Sequence, residues 1–275
     1  MGIELTNKDL WLSNHPYLRK IADLQNVVHA ALEELSPPAF SVPWDRYARD
    51  FAIGVPLLSS PSVSVDLTSA EPALGRLLEK LAQQPLEQNL AWQVGDLITE
   101  LKADLTFSTR VIAGLLERDE IKFRHPGLIR YCGWTVMAEC LHPLVEAFAH
   151  WRDEERWLRG YCPTCGARPA MAQLAGYDPG RLRLLACGCC KTRWRYRRTG
   201  CPFCKPRDDH RLGALSIEGE DALRIEYCES CGGYLKTYVG EGLEGLLLAD
   251  WTTVHLDVIA RDRGLTNRAA SLYEL

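Results

Sequence analysis

Between Leu18 and Leu35 the apolar residues Leu18, Ile21, Ala22, Leu24, Val28, Ala31, Leu32 and Leu35 recur at three- and four-residue intervals, the period of one helix face. Ser36-Pro37-Pro38 ends the run, because proline cannot donate the N–H that a continuing helix needs. The same period predicts helices over 44–53, 73–81, 86–101, 105–117 and 128–157, the last with a bend at Pro143. Strand-like alternation is nearly absent before residue 158, so residues 1–158 read as an all-helical domain. Within it, residues 54–62 carry too many helix breakers and read as a loop crossing between helices.

At Arg159-Gly160-Tyr161 the pattern changes. Glycine, aromatics and paired cysteines take over, and residues 181–186 and 222–227 read as short strands running into cysteine pairs. The expected fold class is therefore α plus small β. A helical domain over 1–158 precedes two tandem metal ribbons at 159–199 and 200–240, and residues 241–275 form a helical tail.

The 275 residues are 47% hydrophobic and 25% charged, enough for a sizeable core and incompatible with a disordered chain. A formal net charge of -4 gives no global attraction to nucleic acid or anionic membranes. Residues 1–160 carry a net charge of −6 and the remainder +2, but residues 181–211 hold ten basic side chains against two acidic ones. No apolar run nears the ~18 residues needed to cross a bilayer. The opening segment has no basic stretch leading into an apolar one, so a cytoplasmic location is expected.

Nine of the 11 cysteines crowd between Cys162 and Cys231. An odd total without a secretion signal argues for metal binding over a disulfide framework. Four pairs have the C-x-x-C spacing: Cys162/Cys165, Cys187/Cys190, Cys201/Cys204 and Cys228/Cys231. Each tight turn aims two sulfurs at one point and supplies half a tetrahedron, so two pairs must meet to close one site. The gaps of 21 and 23 residues inside the outer pairings suit a strand, a turn and a returning strand. An echo at about forty residues, Arg183–Cys187 with Arg224–Cys228, favours first-with-second and third-with-fourth pairing. A cross-braced arrangement stays geometrically open. Either way, two metal ions, Zn or Fe, are expected, each closed by four thiolates with no position left for a reacting water. Cys189 is a supernumerary thiol outside this ligand set.

The motifs Tyr161-Cys-Pro-Thr-Cys-Gly-Ala-Arg-Pro169, Cys190-Lys-Thr-Arg-Trp194, Cys201-Pro-Phe-Cys204 and Cys228-Glu-Ser-Cys-Gly-Gly-Tyr-Leu-Lys-Thr-Tyr238 resemble those of the formate dehydrogenase accessory protein family FdhE. Ala249-Asp250-Trp251 and Leu256-Asp257-Val258-Ile259-Ala260 in the tail, and Gly54-Val55-Pro56-Leu57-Leu58 upstream, extend the likeness. The resemblance implies rubredoxin-like ribbons, the eight cysteines above as metal ligands, and a non-enzymatic role in maturing the catalytic subunit of formate dehydrogenase. Three positions depart from the family pattern: the extra Cys189, Lys205 in place of a glycine, and Trp251 in place of a second acid.

The competing reading is a tandem zinc-ribbon protein that binds nucleic acid, since Lys191-Thr-Arg-Trp-Arg-Tyr-Arg-Arg198 interleaves aromatic and basic side chains. The bland alternative is that these arginines clothe the second ribbon and dock it on the acidic helices. Gly240-Glu-Gly242-Leu-Glu-Gly245 fits a dinucleotide fingerprint, but too little chain follows to build that fold, and a turn leaving the second ribbon is expected. Cys132 and Cys140 read as buried apolar residues, and His125, His142 and His150 as ordinary structural histidines.

Overall fold

The computed structural model describes residues 7–117, 123–177, 180–204 and 212–273. The helical part contains α1 (Asn7–Asn14), α2 (Arg19–Leu32), α3 (Trp44–Ile53), α4 (Ala70–Ala82), α5 (Gln88–Ala103), α6 (Phe107–Glu117) and α7 (Pro126–Trp151). Helix α4 sits at the centre, in contact with α2, α5, α6 and α7. Its Leu74, Leu77 and Leu78 are fully buried, which is why the three- and four-residue period was so clear there. Among the described residues, no helix is long and apolar enough to cross a membrane.

Two differences from the sequence reading have physical causes. Helix α7 passes through Pro143 but stops at Trp151, six residues short of the expected end, because Arg152 turns extended (ψ 143°). That turn carries its guanidinium to Glu154 and to the carbonyl of Arg193 in the first ribbon. Helix α1 lies outside the helices that the apolar period predicts: it buries none of its residues fully, so it leaves little periodic trace.

The ribbons supply β1 (Pro169–Ala175), β2 (Leu182–Cys187), β3 (Arg193–Tyr196), β4 (Leu212–Ser216), β5 (Leu223–Cys228) and β6 (Gly233–Val239), with a two-residue β7 (Thr266–Asn267). Each ribbon is an antiparallel three-stranded unit, and the two are fused into one sheet of order β3-β2-β1-β6-β5-β4, with β7 beside β6. The fusion is a parallel pairing of β1 with β6, registering Met171 with Lys236 and Gln173 with Tyr238. Central placement explains the burial: every residue of β1 is buried, whereas none of the edge strand β4 is.

The first ribbon continues the helical core, with Cys162, Cys165, Cys187, Cys190 and Trp194 inside one cluster with Leu57, Phe148 and Trp157. The second ribbon packs instead against the tail, where Leu223, Ile225 and Tyr238 meet Leu247 of α8 (Glu244–Leu247) and Leu256 of α9 (Val254–Asp262). The Gly240–Gly245 segment is the turn leaving β6, with Gly240 (φ 137°) and Gly242 (φ 92°) in backbone space that glycine tolerates best.

Candidate metal centres

The eight cysteines of the C-x-x-C pairs converge in two groups, Cys162/Cys165/Cys187/Cys190 and Cys201/Cys204/Cys228/Cys231. First pairs with second and third with fourth. The cross-braced alternative is not the arrangement adopted. Strand β2 delivers Cys187 and β5 delivers Cys228 in the same way, so the forty-residue echo in the sequence is a repeated strand-to-knuckle junction.

The sulfur spacing tests the fit to a metal. Cys162–Cys190 and Cys165–Cys187 Sγ atoms are 3.5 Å apart, and Cys201–Cys231 and Cys204–Cys228 are 3.8 and 3.7 Å apart. A tetrahedron with metal–sulfur bonds of ~2.3 Å has edges of about 3.8 Å, whereas a disulfide needs about 2.05 Å. All eight thiols are free. Each group can therefore hold one metal ion, and the all-sulfur donor set suits zinc or iron equally.

Turn geometry around the sulfurs follows from backbone chemistry. The N–H of Cys165 points at Cys162 Sγ, that of Phe203 at Cys201 Sγ and that of Gly233 at Cys231 Sγ, at 3.4–3.5 Å. These donors stabilise negative sulfur. The residue after the second cysteine of a knuckle adopts left-handed backbone: Gly166 at φ 68°, Lys191 at φ 61° and Gly232 at φ 67°. Glycine is the low-cost choice there, and Lys191 carries the strain while its Nζ donates to the carbonyl of Gly188 at 2.8 Å. Lys205, the corresponding residue of the third knuckle, lies outside the described residues.

The two sites differ in environment. In the first, Cys162 and Cys187 are pushed well above the ordinary thiol range, chiefly by burial, and Cys165 chiefly by hydrogen bonding to Cys162. Cys190 is buried too, yet it is held well below that range by hydrogen bonds from Cys162, Cys165, Cys187 and the Thr192 hydroxyl. Thr192 in turn meets Thr164 at 2.7 Å, a fully buried pair joining the two knuckles. In the second site Cys204 and Cys231 are only half-buried. Burial opposes ionisation of Cys228, but the amides of Cys231 and Ser230 outweigh it and lower its thiol.

The helical domain grips the first knuckle directly. Leu57 and Leu58, in a short 3-10 turn within the expected loop, donate their N–H groups to the carbonyls of Pro163 and Thr164 at 2.8 and 2.9 Å. Tyr161 donates to the carbonyl of Gly54 at 2.8 Å, and within the first ribbon the Trp194 indole donates to the carbonyl of Arg159 at 2.9 Å. This sequence stretch read as a mere crossing; its partners lie more than a hundred residues downstream and leave no local signal.

Other singled-out residues stay outside the sites. Cys189 is 2% exposed and lies beyond the four-sulfur group. Cys132 is buried, which pushes its thiol up to about 12, and Cys140 pairs with the Ser69 hydroxyl. His125 meets Asp96 at 2.9 Å, His142 pairs with Glu146, and His150 bonds the carbonyl of Glu146. The basic run Lys191–Arg198 lies in the first ribbon and not, as expected, on the second: its strand, β3, pairs with β2. Arg195 pairs with Glu155, its N–H reaches Glu154, and Arg193 reaches Gln173. Trp194 is fully buried, and the Tyr196 hydroxyl is tied to the carbonyl of Cys201.

No protein-family model matches the sequence. The chain is, however, 30% identical over 278 positions to the FdhE homolog of Pseudomonas aeruginosa, across 94% of this chain and 84% of that protein. The chain belongs to the FdhE family. Its alignment with the Aquifex aeolicus FdhE homolog, 32% identical over 129 positions, covers 45% of this chain and 46% of that relative, about half of each. The crystal structure of the FdhE protein from Pseudomonas aeruginosa has the same fold, with a TM-score of 0.59 and 23% identity over 94% of this chain and 88% of that one. The helical domain, the fused ribbons and the FdhE tail are thus one architecture.

Between the helical domain and the two ribbons lies a cavity of about 840 Å³, lined by Arg159, Arg168, Arg197, Tyr161, Phe203 and Cys201 among others. Arg159 packs so closely on Gly54 that a Cβ there would lie 2.2 Å from the guanidinium carbon. Its Nε is buried and makes no hydrogen bond among the described residues.

Proposed function

We propose that this chain is a cytoplasmic maturation factor for formate dehydrogenase that holds the enzyme's catalytic subunit before assembly, without making or breaking bonds. Membership of the FdhE family supports this reading, and the chemistry of the two sulfur groups supports the non-enzymatic part of it. In this reading Cys162, Cys165, Cys187 and Cys190 hold one ion and Cys201, Cys204, Cys228 and Cys231 the other. A metal closed by four thiolates has no open position for substrate, so what it supplies is folding energy for ribbons with little core of their own. In this reading residues 1–158 pack on the first ribbon, 159–199, and residues 241–275 on the second, 200–240.

The observation that carries the proposal is the cavity where the helical domain meets the two ribbons. Three arginines, Arg159, Arg168 and Arg197, line it beside the third knuckle, and guanidinium groups are suited to an acidic group of the client. The nucleic-acid reading is weakened by the burial of Trp194 and the use of Arg193 and Arg195 within the molecule, which removes the alternating stacking and phosphate contacts it requires.

Affinity capture from native cytoplasm tests the reading. The intact protein should retain the formate dehydrogenase catalytic subunit, and a Cys201→Ser/Cys204→Ser variant should lose it together with one equivalent of metal. Capture of salt-sensitive RNA or DNA in its place would contradict the proposal.

A further inference from the structure

A third cluster of metal-ligating side chains stands away from the sulfur sites. His15 follows α1, Glu220 sits in the turn between β4 and β5, and His255 lies at the start of α9. His15 Nε2 is 2.9 Å from Glu220 Oε1 and His255 Nε2 is 3.0 Å from Glu220 Oε2; the candidate ligand atoms of all three residues lie within 4.8 Å of one another. Their side chains are 9%, 14% and 14% exposed.

The hydrogen bonding of His15 decides what this cluster requires. Its Nδ1 is 2.9 Å from the carbonyl oxygen of Trp11, which can only accept, so Nδ1 carries the proton. In the neutral ring Nε2 is then a bare lone pair facing a carboxylate oxygen, and two acceptors at that distance need a cation between them. A backbone carbonyl fixing the far nitrogen is also how proteins commonly orient a metal-binding imidazole. Trp11 stacks on His15 with ring centroids 4.0 Å apart and donates its indole N–H to the carbonyl of Thr252, which holds the ring in place.

The surroundings favour positive charge. A cavity of about 450 Å³ opens beside the cluster, and among the described residues its lining includes Glu218, Glu220 and Asp221 but no lysine or arginine. Two imidazoles and one carboxylate are a borderline donor set, suited to a divalent ion such as zinc or cobalt and unlike the all-sulfur sites.

We propose that His15, Glu220 and His255 form a third metal site, which takes a divalent transition metal and leaves a coordination position open towards that cavity. The site ties the N-terminal helix to the second ribbon and the tail, and it is independent of the function proposed above.

The test uses the full chain with its sulfur sites already filled, saturated with Co²⁺ and freed of loose ion. A third equivalent is expected, with a visible spectrum that lacks the thiolate-to-cobalt charge-transfer band. His15→Gln and Glu220→Gln should each bind two equivalents, and retained metal in both sulfur sites reports that the variants are folded. A wild-type stoichiometry of two under saturating Co²⁺ would overturn the proposal, as would a third equivalent that survives in a His15→Gln/His255→Gln variant. Imidazole proton resonances that titrate identically with and without Co²⁺ would also overturn it, showing that a proton is the only cation held there.

Discussion

The backbone N–H of Leu57 donates to the carbonyl of Pro163 at 2.8 Å, placing a loop of the helical domain on the turn that carries Cys162 and Cys165. Leu57 itself is fully buried. The helical core and the first ribbon are therefore one packed body, and stability in one should be felt as metal retention in the other. Leu57→Ala removes buried volume at this seam and is expected to cost about 2–4 kcal/mol. Denaturant unfolding measures the loss, and release of metal to a chelator should accelerate in the same variant.

Gly54 is a second point on that seam. Its φ of 91° suits glycine, and an added Cβ would strike the Arg159 guanidinium. Gly54→Ala should therefore destabilise by about 1–3 kcal/mol and displace Arg159 from the cavity wall. Client capture should fall more than stability at working temperature accounts for, which a comparison with the Leu57→Ala variant measures.

The two sulfur sites should part with metal at different rates. The first is enclosed in the helical core, with its ligands at 0–4% exposure, whereas Cys204 and Cys231 of the second are partly open. A chelator in excess should release one equivalent quickly and the other slowly. Cys201→Ser/Cys204→Ser should abolish the fast phase alone. A single phase would show that the enclosure does not control exchange.

Lys236 is buried in β6 between Asp250 and Asp257, 2.7 Å from Asp257 Oδ2, while Tyr234 and Ser271 donate to the same two carboxylates. Burial pulls the ammonium down, but the two carboxylates outweigh it and hold Lys236 above the ordinary lysine range. A raised folded value means that this contribution is complete below about pH 10.4, the unfolded value, and is lost as pH rises through the folded one. Lys236→Met leaves two buried carboxylates without their cation and should cost about 3–5 kcal/mol at pH 7. Thermal melts across pH should show that cost shrinking on acidification, since burial already pushes the Asp257 carboxyl up and towards protonation.

How far the sequence could be read depended on the range of the interaction concerned. The helices α3 to α6 follow from apolar periodicity because each buries one face. The eight cysteines were legible because a knuckle is a local device, complete within four residues. The joining of the ribbons was not, since the parallel pairing of Met171 with Lys236 has no signature in either strand. Lys236 finds Asp250 and Asp257 in the tail, a relation that no local spacing marks. His15, Glu220 and His255 lie in three separate segments and share no spacing, and the end of α7 was set by where Arg152 had to reach.

Metal content and X-ray absorption of the full-length protein, purified without added metal, test the central claim most directly. The account predicts two equivalents of zinc or iron in the sulfur sites, each ion surrounded by four sulfurs at ~2.3 Å. Folded protein free of these ions, or with the eight thiols oxidised to disulfides in its working state, would contradict it.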